Sequence, residues 1–190
     1  MKYVCLPLVL LGALCCGASP PAVNVCVSSP DGWTHCGVGT TVAETPYLIT
    51  AAHVLDGLGN GCLITLKTSE DRLVLAGAKI TRDEQADVAI LHVPILDNVG
   101  AKLCDPKINE KIKAQTLAGE KKGIVQRHTL GFIFTTVKLV AGDSGSAIVS
   151  IERECVIGLA IMSVSDPDTG VSIGSVGVDS SAIRGLIDGQ

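Results

Sequence analysis

Short apolar runs separated by turn-forming residues follow one another along most of the chain. The runs are rich in β-branched residues, and Gly, Pro, Asn and Asp lie between them, a pattern typical of antiparallel strands in a sandwich or barrel. Twelve such runs form two groups of six: 23–27, 38–42, 47–50, 62–66, 73–80 and 88–93, then 112–117, 124–129, 132–139, 147–151, 156–162 and 175–178. We therefore predict an all-β protein of two six-stranded antiparallel β-barrels, at about 23–95 and 112–180.

Two further segments complete this organisation. The polar stretch at about 96–113 contains turn-forming residues, and we interpret it as the connection between the two barrels. Residues 180–187 begin with Ser180 and carry apolar side chains at Ile183, Leu186 and Ile187. A helix start signal followed by this spacing predicts a short C-terminal helix.

The first residues have the composition of a secretory signal peptide. Lys2 precedes an uncharged stretch over residues 3–16, which is shorter than the ~18 apolar residues that a membrane-spanning helix requires. We predict a signal peptide at 1–18 with cleavage after Ala18, so that residues 19–190 form the mature domain. Lipid attachment at Cys15 or Cys16 is the alternative, and only that form would be anchored to a membrane.

The cysteines and the charge balance narrow the class of protein. Five cysteines lie beyond the leader, and in an oxidising compartment they are expected to form disulfides. Because five is odd, either one thiol stays free or leader cleavage before Cys16 leaves six cysteines. No C-x-x-C or H-E-x-x-H spacing predicts a metal site. The net charge of −4 argues against nucleic acid as a partner, since phosphate binding needs a basic face.

Three short motifs, in the order His, Asp, Ser, carry residues suited to acyl transfer. Residues 48–53 read LITAAH, residues 87–91 read DVAIL and residues 142–147 read GDSGSA. A serine hydroxyl is a weak nucleophile and needs a base such as a neutral imidazole within hydrogen-bond reach. A carboxylate that accepts the other imidazole N–H fixes the tautomer and stabilises the charged ring. His53, Asp87 and Ser144 are therefore the candidate catalytic residues.

Glycines around the serine suggest a second element of the same site. Gly142 and Gly145 allow the backbone to turn sharply beside Ser144. The N–H groups of Gly142 and Ser144 can then point to one position, where they would stabilise a developing oxyanion. We take these two residues as the candidate oxyanion hole.

The three motifs resemble those of the chymotrypsin/trypsin-like serine protease superfamily. The matching segments are TAAH ending at His53, DVAIL beginning at Asp87 and GDSGS around Ser144, and their spacings of 34 and 57 residues are close to those of compact bacterial, phage or viral members. The resemblance covers essentially the whole mature chain and implies an active site in the cleft between two barrels. It further implies a serine endopeptidase that needs no cofactor and cleaves a protein or peptide substrate, and we expect a secreted or periplasmic monomer.

The resemblance also suggests where substrate would bind. Lys138, six residues before Ser144, lies where the family often places the base of its specificity pocket, and there it would favour an acidic side chain. The alternative is that a shortened loop carries Lys138 to the surface. Ile161, Met162 and Ser163 occupy the stretch where many relatives have Ser-Trp-Gly on the substrate-binding strand. These four residues are the candidate substrate-binding residues.

Two positions next to candidate catalytic residues bear on how closely the chain follows the family pattern. Val54 follows His53 where a cysteine is common, so the usual bridge beside the histidine is absent unless Cys36 reaches Cys62. Asp143 would pair with a freed amino terminus if the protein had the zymogen-type switch of some relatives. No basic activation site precedes a β-branched residue near the start of the mature chain, which argues against such a switch.

Two other classes of protein are compatible with part of the pattern. One is a catalytically silent protein that keeps the protease fold for binding, and the intact set of His53, Asp87 and Ser144 argues against it. The other is an esterase that uses the same acyl chemistry on an α/β sheet. Its triad follows the order Ser, Asp, His, whereas the order here is His, Asp, Ser.

Overall fold

The computed structural model describes residues 22–59, 62–68, 72–75, 78–94 and 100–190. The predicted signal peptide and the predicted cleavage site lie outside the described residues. Within these ranges the chain forms thirteen strands, one 3₁₀ turn and one α-helix. None of the helices in these ranges is long and apolar enough to cross a membrane.

The first lobe is an antiparallel sheet of seven strands. They are β1 (Val23–Ser28), β2 (Thr34–Thr41), β3 (Tyr47–Ala51), β4 (Leu63–Lys67), β5 (Arg72–Leu75), β6 (Ile80–Asp83) and β7 (Val88–His92). Their order across the sheet is β5-β4-β1-β2-β3-β7-β6. Along β1, Val23, Val25 and Val27 are buried while the residues between them are half-buried, so alternate side chains pack into one core.

The first lobe has one strand more than the sequence pattern predicted. The run 73–80 contains parts of both β5 and β6, which pair with β4 and β7 at opposite edges of the sheet. An apolar run shows that strands are present but does not show where the chain crosses from one edge to the other.

The second lobe is a closed six-stranded antiparallel barrel. Its strands are β8 (Lys111–Thr116), β9 (Gly119–Thr129), β10 (Phe132–Thr135), β11 (Ala147–Ser150), β12 (Val156–Ser165) and β13 (Ser172–Asp179). The closed order is β10-β13-β12-β11-β8-β9. β9 begins earlier than predicted. Its first residues, GEKKG, are polar and therefore lay outside the predicted apolar run, but they pair with β8 in a hairpin. The predicted all-β architecture, with a short C-terminal helix, is confirmed.

The helix α1 (Ser180–Asp188) packs where the two lobes meet. Asp179 caps it by accepting hydrogen bonds from the backbone N–H groups of Ser181 and Ala182 at 2.9 and 3.2 Å. A shared apolar cluster joins the lobes to this helix and consists of Val42, Ile49, Val88, Ile90, Leu159, Val178 and Ile183. This cluster packs the two lobes against each other and against α1.

Two disulfides are present, Cys26–Cys36 and Cys104–Cys155. The alternative pairing of Cys36 with Cys62 is wrong, because Cys26 and Cys36 lie directly opposite each other in the register of β1 and β2. Among the described cysteines, Cys62 is the free thiol. Two bridges in one small chain are typical of an environment outside the reducing cytoplasm.

Candidate active site

His53 and Asp87 meet because the strands that precede and follow them are paired. Ala51, at the end of β3, faces Val88, at the start of β7. His53 lies two residues further, in the 3₁₀ turn Ala52–Leu55, and Asp87 lies immediately before β7. The backbone N–H of Ala52 donates to the Asp87 carbonyl at 3.1 Å. The register of two strands therefore sets the separation of the two side chains.

The Asp87 carboxylate holds both the backbone and the ring of His53. Its Oδ1 accepts from the His53 backbone N–H at 2.9 Å, and its Oδ2 lies 2.7 Å from His53 Nδ1. This arrangement orients the imidazole and selects the tautomer that carries its proton on Nδ1 when the ring is neutral. In the described parts of the chain, Nε2 of His53 has no hydrogen-bond partner, and the side chain is 35% exposed.

The interactions of His53 with Asp87 favour the protonated imidazole more than solvation by water would. The hydrogen bond that His53 Nδ1 donates to Asp87 raises the pKa of His53 above its ordinary value of 6.5, partial burial lowers it, and the charges of Asp87 and Asp56 raise it further. The net shift is upward. A base of this kind accepts a proton readily and still returns it near neutral pH.

The backbone at Asp87 is itself unusual. Its φ is +54°, in the left-handed region that few residues other than glycine adopt. Aspartate tolerates this region better than most residues, because its short polar side chain can bond locally. Such conformations concentrate at functional sites, where neighbouring structure holds them in place.

Ser144 lies on a tight turn of the second lobe that contacts the first lobe. Its carbonyl accepts from the Val38 backbone N–H in β2 at 2.7 Å, and the next residue, Gly145, donates to the Ala160 carbonyl in β12 at 2.7 Å. A Cβ at Gly145 would lie 1.8 Å from the Val38 carbonyl oxygen, and φ at Gly145 is +87°. Only glycine satisfies both constraints, so the close approach of the two backbones requires the glycine at position 145.

The structure places Ser144 beside the His53 turn without joining their side chains. A Cβ built at Gly37 would lie 2.4 Å from Val54 and 2.8 Å from the Ser144 carbonyl oxygen, so both neighbours pack on the same point of β2. Between the described residues Ser144 and His53 there is no side-chain hydrogen bond. Catalytic hydrogen bonds are often long in unliganded enzymes and shorten when substrate binds.

Two backbone N–H groups beside Ser144 are available to a ligand. Asp143 donates to the Val140 carbonyl at 3.0 Å and Ser146 donates to the Asp143 carbonyl at 3.1 Å. Among the residues that the structure describes, the N–H groups of Gly142 and Ser144 donate to no protein atom. Gly142 is exposed and has φ of +91°, which is the backbone turn that this arrangement needs.

The candidate substrate-binding residues are spread over two segments near this turn. Lys138 is exposed, between the buried residues Val137 and Leu139. Met162 is 56% exposed, and Ile161 packs partly into the cores of the first lobe and of the lobe junction. Ser163 donates to the Leu139 carbonyl at 3.0 Å. A role of these residues in selecting substrate stays a prediction.

The other histidines lie elsewhere. His92 is at the far end of β7 from Asp87, where its ring contacts Tyr47. His128 pairs with Asp179 at 2.7 Å, below the start of α1. Within the described residues, no group of three His, Cys, Asp or Glu side chains converges to hold a metal ion.

The cation that pairs with Asp143, Lys121, was not expected from the sequence. The carboxylate of Asp143 is buried, and its Oδ2 lies 2.6 Å from Lys121 Nζ and accepts from the Val140 backbone N–H at 2.9 Å. In the described part of the chain the partner of Asp143 is thus a lysine from β9. Pairing with a freed amino terminus stays untested, because residues 1–21 lie outside the described residues. Lys121 belongs to a polar run, EKKG, on a hairpin, and nothing in that run distinguishes it from a solvated lysine.

A seven-stranded sheet and a closed barrel, with a His-Asp pair on one and a glycine-flanked serine on the other, make the fold that of the chymotrypsin-like serine proteases. No protein-family model and no curated protein sequence matches the chain. Solved structures do match. The serine endoprotease of Yersinia pestis superposes with a TM-score of 0.75 at 17% identity, over 91% of this chain and 63% of that one.

Two other solved structures support the same assignment of fold. The HtrA-type protease AlgW, solved with a tripeptide, gives a TM-score of 0.72 at 17% identity, over 90% of this chain and 60% of that one. The Rv3671c protease from M. tuberculosis, in its active form, gives a TM-score of 0.71 at 16% identity, over 98% of this chain and 93% of that one. The chain thus spans less than two thirds of the first two proteins. At these identities the likeness is one of fold.

Proposed function

We propose that this protein is a serine endopeptidase that hydrolyses peptide bonds through an acyl-enzyme. The observation that carries the proposal is the His53 ring, bonded through Nδ1 to Asp87 and free at Nε2, beside a serine whose neighbouring N–H groups are unpaired in the described structure. His53 is the general base, Asp87 orients it, and Ser144 is the nucleophile. No metal or organic cofactor enters this scheme.

The chemistry follows from these positions. Ser144 Oγ attacks the carbonyl carbon of the peptide and forms a C–O bond, while its proton passes to His53 Nε2. The negative charge moves to the former carbonyl oxygen, which the N–H groups of Gly142 and Ser144 stabilise. The C–N bond then breaks, and the leaving amine takes the proton from His53. A water molecule then attacks the ester carbonyl carbon while its proton passes to His53. The C–O bond to Ser144 breaks, Ser144 Oγ takes the proton from His53, and the carboxylic acid is released.

Asp87 acts through the ring that it holds. Its hydrogen bond keeps the Nδ1 proton in place, so that Nε2 presents its lone pair to Ser144. When the imidazole becomes charged, the adjacent carboxylate stabilises that charge. The upward shift of the His53 pKa has the same cause.

The proposed substrate is a protein or peptide in extended conformation. The exposed Met162 and the half-buried Ser163 lie on β12 close to the serine turn, where a peptide could pair with the strand through main-chain groups. Binding of a tripeptide by AlgW, named in its structure, agrees with a peptide ligand. Lys138 and residues 161–163 remain the candidates for selecting side chains. We further propose that a signal peptide at 1–18 directs the chain to a secreted or periplasmic location, where it acts as a monomer.

A covalent probe tests catalysis without knowledge of the natural substrate. We expect a fluorophosphonate to label the purified protein at Ser144, and labelling to disappear in Ser144→Ala and in His53→Ala. His35→Ala is the matched control, because His35 is exposed on β2 and should leave the labelling rate unchanged. Absence of labelling in the folded wild type would contradict the proposal and favour the binding protein without turnover.

A further inference from the structure

The leucine at the tip of the β9–β10 hairpin is fully in solvent and also has an unfavourable backbone conformation. Leu130 is 92% exposed, and its φ is +51°. A two-residue hairpin turn prefers Asn or Gly at such a position, because the left-handed region is costly for a bulky side chain. The other described non-glycine residues with positive φ are all polar: Glu44, Asp87, Asn109 and Glu154. Leu130 is thus unfavourable in two respects for the isolated chain, which points to a contact outside it.

The fold presents this leucine on a firmly held turn. β9 and β10 are paired up to the turn itself. The Asp179 backbone N–H, at the start of α1, donates to the Gly131 carbonyl at 2.8 Å. The Asp179 carboxylate also lies 2.7 Å from His128 Nε2 on the adjacent strand. The exposure of Leu130 therefore does not come from a loose loop.

The outer face of the hairpin beside Leu130 is aromatic and cationic. Phe132 and Phe134, the two phenylalanines of the chain, are half-buried there, whereas Ile133 between them belongs to the barrel core. The guanidinium of the exposed Arg127 lies over the Phe134 ring, 5.6 Å from its centre. An exposed apolar tip beside a cation on an aromatic surface is a combination suited to the boundary between water and lipid.

The same stretch of chain lacks negative charge. Residues 121–142 contain four Lys or Arg and no Asp or Glu, although the net charge of the whole chain is −4. Lys121 forms an ion pair, whereas Lys122, Arg127 and Lys138 form none with the described residues. The hairpin is therefore a positively charged surface on an acidic protein, and its charge is complementary to that of anionic lipid headgroups.

We propose that the β9–β10 hairpin docks the protein on an anionic lipid bilayer, with Leu130 entering the headgroup region and Arg127 at the lipid phosphates. A single leucine is far smaller than the ~800 Å² per partner that a stable protein interface buries. A bilayer, in contrast, accepts one inserted side chain and attracts each nearby cation. One apolar insertion with a basic surface gives weak, reversible binding. The inference does not depend on the proposed catalysis.

The first test measures co-sedimentation of the secreted protein with phosphatidylcholine vesicles that contain about one third phosphatidylglycerol. Leu130→Asn should lower the partition coefficient about tenfold, and Arg127→Gln about fivefold. Leu117→Asn is the matched control: it makes the same change at the exposed tip of the β8–β9 hairpin and should bind like the wild type. Binding to phosphatidylcholine alone should be at least about tenfold weaker, because the electrostatic attraction is lost.

A second measurement reports the tip itself. In Leu130→Trp, indole emission should move to shorter wavelength on addition of the anionic vesicles. The wild type, whose single tryptophan is Trp33, should show no such shift. Leu130→Asn should unfold at no lower temperature than the wild type, because asparagine tolerates the left-handed turn, so lost binding would not reflect misfolding.

Three outcomes would overturn the proposal. One is equal partitioning of Leu130→Asn and the wild type, and another is an unchanged emission spectrum of Leu130→Trp with vesicles. The third is equal binding to neutral and anionic vesicles, since it would remove the role of the cations. Absence of any lipid binding would leave Leu130 as a contact for a protein partner.

Discussion

The two lobes contribute to the candidate site in different ways. In the first lobe, His53 and Asp87 are joined by two hydrogen bonds, and the pairing of β3 with β7 places them next to each other. In the second lobe, Ser144 sits on an irregular turn. That turn is held by its carbonyl bond to Val38, by the Gly145 bond to Ala160 and by the buried carboxylate of Asp143.

This difference shows which half of the site is preformed. Paired strands fix the His-Asp geometry wherever the sheet is folded, whereas the serine turn depends on a small number of contacts that reach across to other elements. We expect the first half to tolerate changes elsewhere in the protein. The second half should respond to any change that loosens the turn, and it is the half where substrate would complete the geometry.

Removing the nucleophile from the second lobe should give the largest effect. Ser144→Ala deletes the oxygen that we propose forms the acyl bond, and in comparable enzymes such a deletion lowers kcat about 10⁶-fold. Its side chain makes no hydrogen bond to the described part of the chain, so thermal stability should not change. Hydrolysis of a peptide library, followed by mass spectrometry, measures the loss and also reports cleavage preference. Substantial turnover by the variant would mean that another residue attacks the peptide.

Disrupting the pair in the first lobe should give the next largest effect. Asp87→Asn preserves shape but offers an N–H group to Nδ1, which favours the wrong tautomer and should lower kcat by about 10⁴-fold. Asparagine also tolerates the left-handed backbone of this position, so the variant should fold. Asp31→Asn, at an exposed turn of the same lobe, is the control for loss of one negative charge. Retained activity in Asp87→Asn would refute the role of Asp87.

The contact between the lobes can be broken at a single glycine. Gly145→Ala places a Cβ against the Val38 carbonyl at a position with φ of +87°, and should reduce the free energy of unfolding by about 3 kcal/mol or more. Gly131→Ala has a similar φ of +81° but open space around the new Cβ, so it should cost only about 1 kcal/mol. Urea denaturation measures both. Equal losses would show that the close approach to Val38 contributes nothing.

The pH dependence should show a smaller effect. A general base must be neutral, and the pKa of His53 is raised, so activity should fall as pH drops through a midpoint above 6.5. Asp56→Asn removes one cause of this rise and should move the midpoint slightly downward, with less change at high salt because Asp56 is exposed. The same shift stabilises the folded protein below the unfolded-state pKa of 6.5, and this contribution is lost as pH rises through the folded-state pKa. A midpoint below 6.5 would contradict the assignment of His53, with its raised pKa, as the general base.

The parts of the molecule that follow a local pattern were predictable from the sequence. Apolar runs indicated most strands. The segments around His53, Asp87 and Ser144 indicated the candidate site residues, of which His53 and Asp87 lie within hydrogen-bond distance of each other. The glycine at position 145 predicted a sharp turn beside Ser144, and its φ of +87° agrees with that prediction. The close approach of Gly145 to the Val38 carbonyl was not predicted.

The parts that depend on long-range contacts were not predictable. The division of run 73–80 into β5 and β6 depends on which edge of the sheet each strand joins. The exposed position of Lys138 depends on the length and course of a loop. The pairing of Lys121 with Asp143 joins residues 22 positions apart through barrel closure, and a lysine in a polar hairpin carries no local sign of a buried partner.

The bridge between Cys104 and Cys155 spans most of the second lobe, including the tip of the β9–β10 hairpin, where Leu130 is 92% exposed. A peptidase that encounters its own copies is open to autolysis at such tips. A single nick anywhere between these two cysteines would leave both fragments covalently joined. Damaged molecules would then keep their full mass on a non-reducing gel and separate into two bands only after a thiol is added.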